Sequence, residues 1–131
     1  MGDAGALFLG IVIATLTIRF HPHADTKWTS FSTKILLLAI PILDTSVAVV
    51  SRLRRKISPL QGGQDHLSHR LIRMGIPRPR AVILLWLMTA IFALCAVLIP
   101  SVSKLTEEII VIGALVIWLL LFFGFIKTAD S

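Results

Sequence analysis

Four apolar segments alternate with polar connections along the chain. They cover residues 4–18, 35–50, 81–99 and 109–126. A helix needs about 20 mostly apolar residues to cross a hydrocarbon core of roughly 30 Å, or somewhat fewer when flanking residues reach the interface. The last two segments meet this requirement, whereas the first is short and the second contains Pro41 and Asp44. For the first two, buried core helices of a soluble domain are therefore an alternative.

The last two segments argue against a soluble domain, because neither contains a charged residue. A helix at the surface of a soluble protein needs a polar outer face. Of the 131 residues, 56% are hydrophobic and only 15% are charged, which is not typical of a soluble domain. The predicted fold is all-α: a polytopic membrane bundle in one domain, 1–131. Its four transmembrane helices are expected at about 4–20, 31–50, 81–99 and 109–126.

Two features interrupt this pattern. Pro41 lacks a backbone N–H, so we expect a kink or break in the second helix, tolerated where neighbouring helices satisfy the freed carbonyl. After residues 62–63, a glycine pair, the stretch from His66 to Met74 is predicted to form a short helix or turn that ends at Gly75.

The cations indicate the orientation of the bundle. Residues 51–80 hold eight of the thirteen Lys and Arg, whereas residues 19–34 hold three and residues 100–108 hold one. Short cytoplasmic loops are enriched in Lys and Arg, so residues 51–80 are predicted to form a basic cytoplasmic loop. The net charge of +6 could suggest nucleic acid, but its concentration in one loop favours membrane orientation.

Two carboxylates are candidates for chemistry. Asp3 precedes an apolar helix, where it could act as an N-cap or as one ligand of a hard cation such as Mg²⁺. Asp44 lies in an apolar run, where carboxylates are costly and often mark a function. The structural alternative for Asp44 is a cap of a helix that begins at Thr45. The functional interpretation is favoured for Asp44, and the cap for Asp3 on composition alone.

His66 and His69 would share one face of a helix because they are three residues apart. Two His residues without further ligands make a weak zinc site. Together with Arg70 and the neighbouring cations they predict a phosphate-binding surface. Anionic lipid head groups would satisfy the same cations without catalysis.

Ordered motifs in the chain resemble those of the bacterial polyprenyl-phosphate N-acetylhexosamine-1-phosphate transferase family, which includes the phospho-N-acetylmuramoyl-pentapeptide transferases. They are residues 1–5 (MGDAG), 41–45 (PILDT), 58–59 (SP), 65–71 (DHLSHRL) and Gly75. Residues 41–45 look more like the group that starts O-antigen and teichoic acid synthesis. Ser68 departs from the pattern, since many relatives have another His there. The family's aspartate-rich motif does not occur in the sequence, so the resemblance is to a carboxy-terminal part.

The resemblance implies transfer of a sugar-1-phosphate from a UDP-sugar to undecaprenyl phosphate, with release of UMP, at the start of cell-envelope glycan synthesis. Asp3 would be catalytic and bind Mg²⁺, with Mn²⁺ as an alternative, and Asp44 would be the second catalytic carboxylate. His66, His69 and Arg70 would bind the nucleotide substrate. Expected partners are the UDP-sugar, the polyprenyl phosphate, the membrane and, as one option, a second copy of the chain, but not nucleic acid.

The implied location is the bacterial cytoplasmic membrane, with a multi-pass chain and the active site facing the cytoplasm. We expect the 131-residue chain alone to be inactive, because one metal-binding carboxylate is too few to assemble the site. The alternative function is a non-catalytic truncated module or partner subunit that binds anionic lipid.

Overall fold

The computed structural model describes residues 3–19, 27–58 and 65–128, and within these ranges all regular structure is helical. The helices are α1 (Asp3–Arg19), α2 (Lys27–Leu37), α3 (Ala39–Arg54), α4 (Leu67–Arg73), α5 (Arg78–Leu98) and α6 (Lys104–Lys127), with a 3₁₀ turn, Ile99–Ser101, between α5 and α6. The predicted all-α class is confirmed.

Two helices, α5 and α6, are long and apolar enough to cross a membrane. Large apolar side chains point outward along both, for example Trp86, which is 73% exposed, and Leu120, which is 68% exposed. Such surfaces are stable in lipid and costly in water. The bent pair α2 and α3 could form a third crossing, and α1 is a shorter apolar helix. The chain is a membrane protein, and four crossings stay a prediction.

The predicted break in the second helix is confirmed. The axes of α2 and α3 meet at 62°, with Leu38 between them. Pro41 is the third residue of α3, a position that needs no N–H donor, and it cannot donate to the carbonyl of Leu37. Helical bonding resumes at Ile42, whose N–H donates to the carbonyl of Leu38 at 2.9 Å. The break therefore lies just before the proline.

The core lies where the bent pair packs against α5 and α6. Leu43 and Val47 of α3 are fully buried, and they belong to one apolar cluster with Phe92 of α5 and Phe125 of α6. At the bend, the indole Nε1–H of Trp118 donates to the carbonyl of Ala39 at 2.9 Å. This contact fixes α6 against the bent pair beside the break.

Tight turns follow both α3 and α4. At the end of α3, Lys56 has a φ of 56°, and the N–H of Ile57 donates to the carbonyl of Arg52 at 2.9 Å. At the end of α4, Gly75 has a φ of 86°, a left-handed conformation that glycine adopts without steric cost. The short helix predicted to end at Gly75 is thus present.

Candidate functional site

The end of the bundle formed by residues 44–58, by α4 and by the first turns of α5 is called here the basic end. Its short helix α4 is anchored by two leucines, since Leu67 is 1% exposed and Leu71 is 3% exposed. They pack into the same core cluster as α3 and Ala81 of α5. This burial gives α4 a defined place, so the polar side chains next to the two leucines have fixed positions.

The Asp44 carboxylate contacts the start of α4. Its Oδ2 lies 2.8 Å from Nδ1 of His66, and its Oδ1 accepts the backbone N–H of Leu67 at 2.6 Å. Asp44 therefore caps α4, a helix distant from it in sequence. The alternative that Asp44 caps a helix beginning at Thr45 is wrong, because Thr45 lies inside α3, which begins at Ala39.

The contact with Asp44 determines what His66 can offer. An ionised carboxylate accepts hydrogen bonds and cannot donate, so a hydrogen bond with ionised Asp44 requires the His66 tautomer that carries a proton on Nδ1. The other ring nitrogen, Nε2, is then left for an outside partner, and half of the His66 side chain is exposed. Neutral His66 presents an acceptor there, and protonated His66 presents a donor.

His69 lies one turn further along α4 and lines a cavity of about 390 Å³. The other lining residues are Ser68, Ile72, Arg73, Arg78, Ala81 and Val82. Imidazole and guanidinium groups donate charge-assisted hydrogen bonds to phosphate oxygens. The cavity, called here the basic cavity, therefore has the chemistry of an anion site with an apolar wall.

Arg70 points away from the basic cavity into the protein. It is 2% exposed, and its Nε donates to the carbonyl of Asp65 at 2.9 Å. Its two terminal nitrogens donate to the carbonyl of Phe125 at 2.7 Å and to Oγ of Ser51 at 2.5 Å. One side chain thus joins α3, α4, α6 and the segment before α4. The predicted contact of Arg70 with substrate stays a prediction.

Asp65 forms the second anchor of the basic end. It accepts a hydrogen bond from Nε of Arg52 at 2.8 Å and pairs with Arg55. Burial raises the pKa of Asp65, but the hydrogen bonds and charges of Arg52 and Arg55 outweigh burial and lower the pKa below its ordinary value. Sequence reasoning missed this role. The available signal was that Asp65 is the one acidic residue within 51–80.

The predicted metal ligand Asp3 is the first residue of α1, and its side chain lies outside the described part of the chain. Among the described residues there is no group of three or more His, Cys, Asp or Glu that could hold a metal ion. Both oxygens of Asp44 already have protein partners. The described residues alone therefore do not fit a metal centre.

These features define a class: a helical membrane protein that holds one histidine and two arginines around a cavity of about 390 Å³ at one end of its bundle. Three curated proteins are similar to this chain in sequence. A probable undecaprenyl-phosphate N-acetylglucosaminyl 1-phosphate transferase of Bacillus subtilis is 31% identical over 96% of this chain and 31% of its own length. The undecaprenyl-phosphate alpha-N-acetylglucosaminyl 1-phosphate transferase of Escherichia coli K12 is 30% identical over 94% of the chain and 32% of its own length.

The third relative, a decaprenyl-phosphate N-acetylglucosaminephosphotransferase of Mycolicibacterium smegmatis, is 32% identical over 71% of the chain and 25% of its own length. No family model and no solved structure matches the chain. The chain belongs to the polyprenyl-phosphate N-acetylhexosamine-1-phosphate transferase family. It spans about a third of the length of these curated relatives, which is consistent with the predicted carboxy-terminal part.

Proposed function

We propose that the protein takes part in transferring an N-acetylhexosamine-1-phosphate from a UDP-sugar to a polyprenyl phosphate, with release of UMP. The observation that carries this proposal is the basic cavity, where His69, Arg73 and Arg78 meet beside the Asp44–His66 pair. The printed names of the relatives describe N-acetylglucosamine-phosphate transfer to undecaprenyl or decaprenyl phosphate, which supports the same reaction class.

The reaction needs charge compensation more than acid or base chemistry. An oxygen of the polyprenyl phosphate attacks the sugar-bearing phosphorus, a new P–O bond forms, and the P–O bond to UMP breaks. UMP leaves with the electron pair, and the sugar diphosphate stays on the lipid. Cations placed around the diphosphate stabilise the developing charge. In this scheme Arg73 and Arg78 hold phosphate oxygens, and His69 donates a hydrogen bond to them.

The positioning of His66 gives it a role beside the basic cavity. Asp44 fixes the half-exposed imidazole through Nδ1, and in this proposal Nε2 binds the nucleotide or its diphosphate. Asp44 then acts through His66 as a positioning residue. Arg70 is also a positioning residue, because its buried hydrogen bonds hold α4 and the two histidines at its start in place.

We further propose that the basic end faces the bacterial cytoplasm. Eight of the thirteen Lys and Arg lie within 51–80, and short cytoplasmic loops are enriched in these residues. A UDP-sugar would then reach the basic cavity from the aqueous side, while the polyprenyl carrier would reach it from the lipid. This orientation is the one expected from the sequence for a multi-pass chain. As a separate point, a second copy of the chain is one proposed partner.

Mg²⁺, or Mn²⁺ in its place, is the proposed cofactor. Mg²⁺ commonly binds one or two carboxylates and fills its other positions with water and substrate phosphates. Asp3 is the proposed carboxylate. Since the described residues hold no complete cluster, we expect the 131-residue chain alone to be inactive and activity to require the rest of the protein. Turnover by the purified 131-residue chain would overturn this expectation.

The experiment for the proposed function measures UMP release in membranes that carry the protein encoded by the full reading frame. The substrates are UDP-N-acetylglucosamine and undecaprenyl phosphate, with and without Mg²⁺. We expect metal-dependent release that is lost in Asp3→Asn and retained in Glu108→Gln, an exposed carboxylate on α6. Absence of release with every UDP-N-acetylhexosamine, from folded protein, would contradict the proposal.

A second candidate function is a non-catalytic module that binds anionic lipid. The observation that favours it is the exposed cluster Arg54, Arg55 and Lys56 at the end of α3, outside the basic cavity. Juxtamembrane cations contribute about 1 kcal/mol each to binding of an anionic membrane surface. Replacing Arg54 and Lys56 by Gln should weaken binding to anionic vesicles under this alternative, and should leave UMP release intact under the transferase proposal.

A further inference from the structure

A buried carboxylate lies at the other end of the bundle. Glu107, in the first turn of α6, is 4% exposed. Its Oε2 accepts the hydroxyl of Thr29 at 3.0 Å, whereas its Oε1 has no hydrogen-bond partner in the described part of the chain. A buried charged oxygen without a partner is costly, so its presence calls for a ligand that donates a hydrogen bond.

The carboxylate borders a cavity of about 240 Å³. The other lining residues are Thr29, Ile99, Pro100, Val102, Ser103 and Lys104. Glu107 and Lys104 supply opposite charges to one small space, and no ion pair joins them in the described part of the chain. The space is called here the Glu107 cavity. Its ligand should therefore carry both charges, with a cationic donor near Glu107 and an anion near Lys104.

The Glu107 cavity lies at the level of the membrane surface opposite the basic end. A helix rises about 1.5 Å per residue, which separates Glu107 from Phe125 by about 27 Å, close to the thickness of the hydrocarbon core. Phe125 contacts Arg70 of the basic end. Trp28, next to Thr29, is 55% exposed, and tryptophan is enriched at membrane interfaces. The cavity is thus at the depth of lipid head groups.

We propose that the Glu107 cavity binds a phospholipid head group with a primary ammonium, that is, a phosphatidylethanolamine. The ammonium would donate one hydrogen bond to Oε1 of Glu107, and the phosphate would lie near Lys104. The acyl chains would then continue along the apolar faces of the bundle. This inference concerns the leaflet away from the basic end and does not depend on the transfer reaction.

A primary ammonium is favoured over a quaternary ammonium or a metal ion because Oε1 of Glu107 needs a hydrogen-bond donor. Oε1 lacks a hydrogen-bond donor, and a quaternary ammonium has no N–H to supply one. A bare metal ion fits less well, because one carboxylate with hydroxyl neighbours is a sparse ligand set for a divalent cation. Charge-assisted hydrogen bonds are about twice as strong as neutral ones, so loss of this bond should be measurable.

The test measures lipid binding by native mass spectrometry of the protein in detergent. Phosphatidylethanolamine, its N,N-dimethyl derivative and phosphatidylcholine are compared at matched acyl chains. We expect apparent affinity to fall along this series, by about tenfold from first to last. Glu107→Gln should abolish the preference, and Glu108→Gln, its exposed neighbour, should retain it. Lys104→Gln should weaken all three lipids to a similar extent, because the phosphate is common to them.

The lipid series uses native protein, so it remains decisive even if Glu107→Gln folds poorly. Equal affinity for the three lipids would overturn the proposal, as would an unchanged preference in folded Glu107→Gln. Stabilisation of lipid-free protein by Mg²⁺ or Ca²⁺ that disappears in Glu107→Gln would also overturn it, since a metal ion would then be the ligand of Oε1.

Discussion

The two ends of the bundle both bury charged side chains, but they treat them differently. At the basic end, Arg70 has three hydrogen-bond acceptors and Asp65 has two arginine partners. At the other end, Glu107 has one partner, Thr29, and one oxygen without a partner in the described residues. Satisfied groups define a rigid framework, whereas Oε1 of Glu107 is the group that the proposed lipid ammonium would satisfy.

Burial and partners also distinguish structural residues from binding residues within the basic end. The buried Arg70 and Asp65 hold α4 in place, and the more exposed His66, His69 and Arg78 face outward. A charged residue in this loop is therefore no guide to function by itself. Its burial and its partners decide whether a substitution should affect stability or substrate binding.

The largest expected effect on stability is that of Asp65→Asn. The change leaves Arg52, which is 7% exposed, without its counter-charge. Removing one partner of a buried pair is strongly destabilising, and we expect a loss of about 3 kcal/mol in the free energy of unfolding. Unfolding in a mild detergent titrated with SDS would measure it. Glu108→Gln is the matched control, and an equal effect of both would contradict the anchor role.

The same pair predicts a pH dependence. The pKa of Asp65 is lowered in the folded protein, so its stabilisation is present above the ordinary aspartate value of about 3.9 and is lost as pH falls below that value toward the folded pKa. Native protein should lose stability in this window, and Asp65→Asn should lose less. Parallel curves for the two proteins between pH 3 and 6 would argue against the ion pair.

Arg70→Met should have the second largest effect on the free energy of unfolding. The substitution keeps an apolar stem but removes the guanidinium that donates to the carbonyl of Asp65 and the hydroxyl of Ser51. The carbonyl of Phe125 loses one of its two side-chain donors and keeps the hydroxyl of Thr128. We expect a loss of about 2 kcal/mol, measured by the same titration. Arg80→Met, at an exposed position on α5, should change stability by less than about 0.5 kcal/mol. Equal stability of native protein and Arg70→Met would show that the buried guanidinium does not anchor α6.

In the full-reading-frame protein, Asp44→Asn should reduce turnover by about 10- to 100-fold, as loss of an orienting partner commonly does, with little change in stability. The amide oxygen can still accept the N–H of Leu67, but its NH₂ group would donate to Nδ1 of His66 and move the proton to Nε2. Nitrogen NMR of labelled histidine reads this tautomer directly. Thr45→Val, at the exposed neighbouring position, is the control, and an unchanged tautomer would contradict the positioning role of Asp44.

The smallest effect is expected at the other end of the bundle. Glu107→Gln retains the acceptor for Thr29 and removes the uncompensated charge, so the free energy of unfolding should change by less than about 1 kcal/mol. A loss as large as that of Asp65→Asn would erase the contrast between the two ends.

Much of the fold could be predicted from the sequence, because helix periods and breakers act locally. The uncharged runs indicated α5 and α6, Pro41 indicated the break, and Gly75 indicated the end of α4. The partners of the polar side chains depend on tertiary packing and could not be predicted. Asp44 caps a helix that begins at Leu67, and Arg70 contacts the last turns of α6, and neither contact leaves a periodic signal.

Long-range packing also explains why the candidate site was only partly anticipated. His66 and His69 were expected to act together from one face, but the structure gives them different surroundings: His66 contacts Asp44, and His69 lines the basic cavity. Arg78 is one of the eight cations within 51–80 and has no distinguishing signal in the sequence, yet it lines the same cavity because α5 begins beside α4. Such proximity follows from how the helices pack, which the spacing of residues does not encode.

The most direct test of the account is binding of UDP-N-acetylglucosamine to the full-reading-frame protein in nanodiscs. The account predicts saturable binding, competed by UMP, that weakens about tenfold or more in His69→Ala and Arg78→Ala. Lys104→Ala, at the other end of the bundle, should bind like native protein. Absence of binding, or equal weakening in all three variants, would contradict the assignment of the basic cavity to the nucleotide sugar.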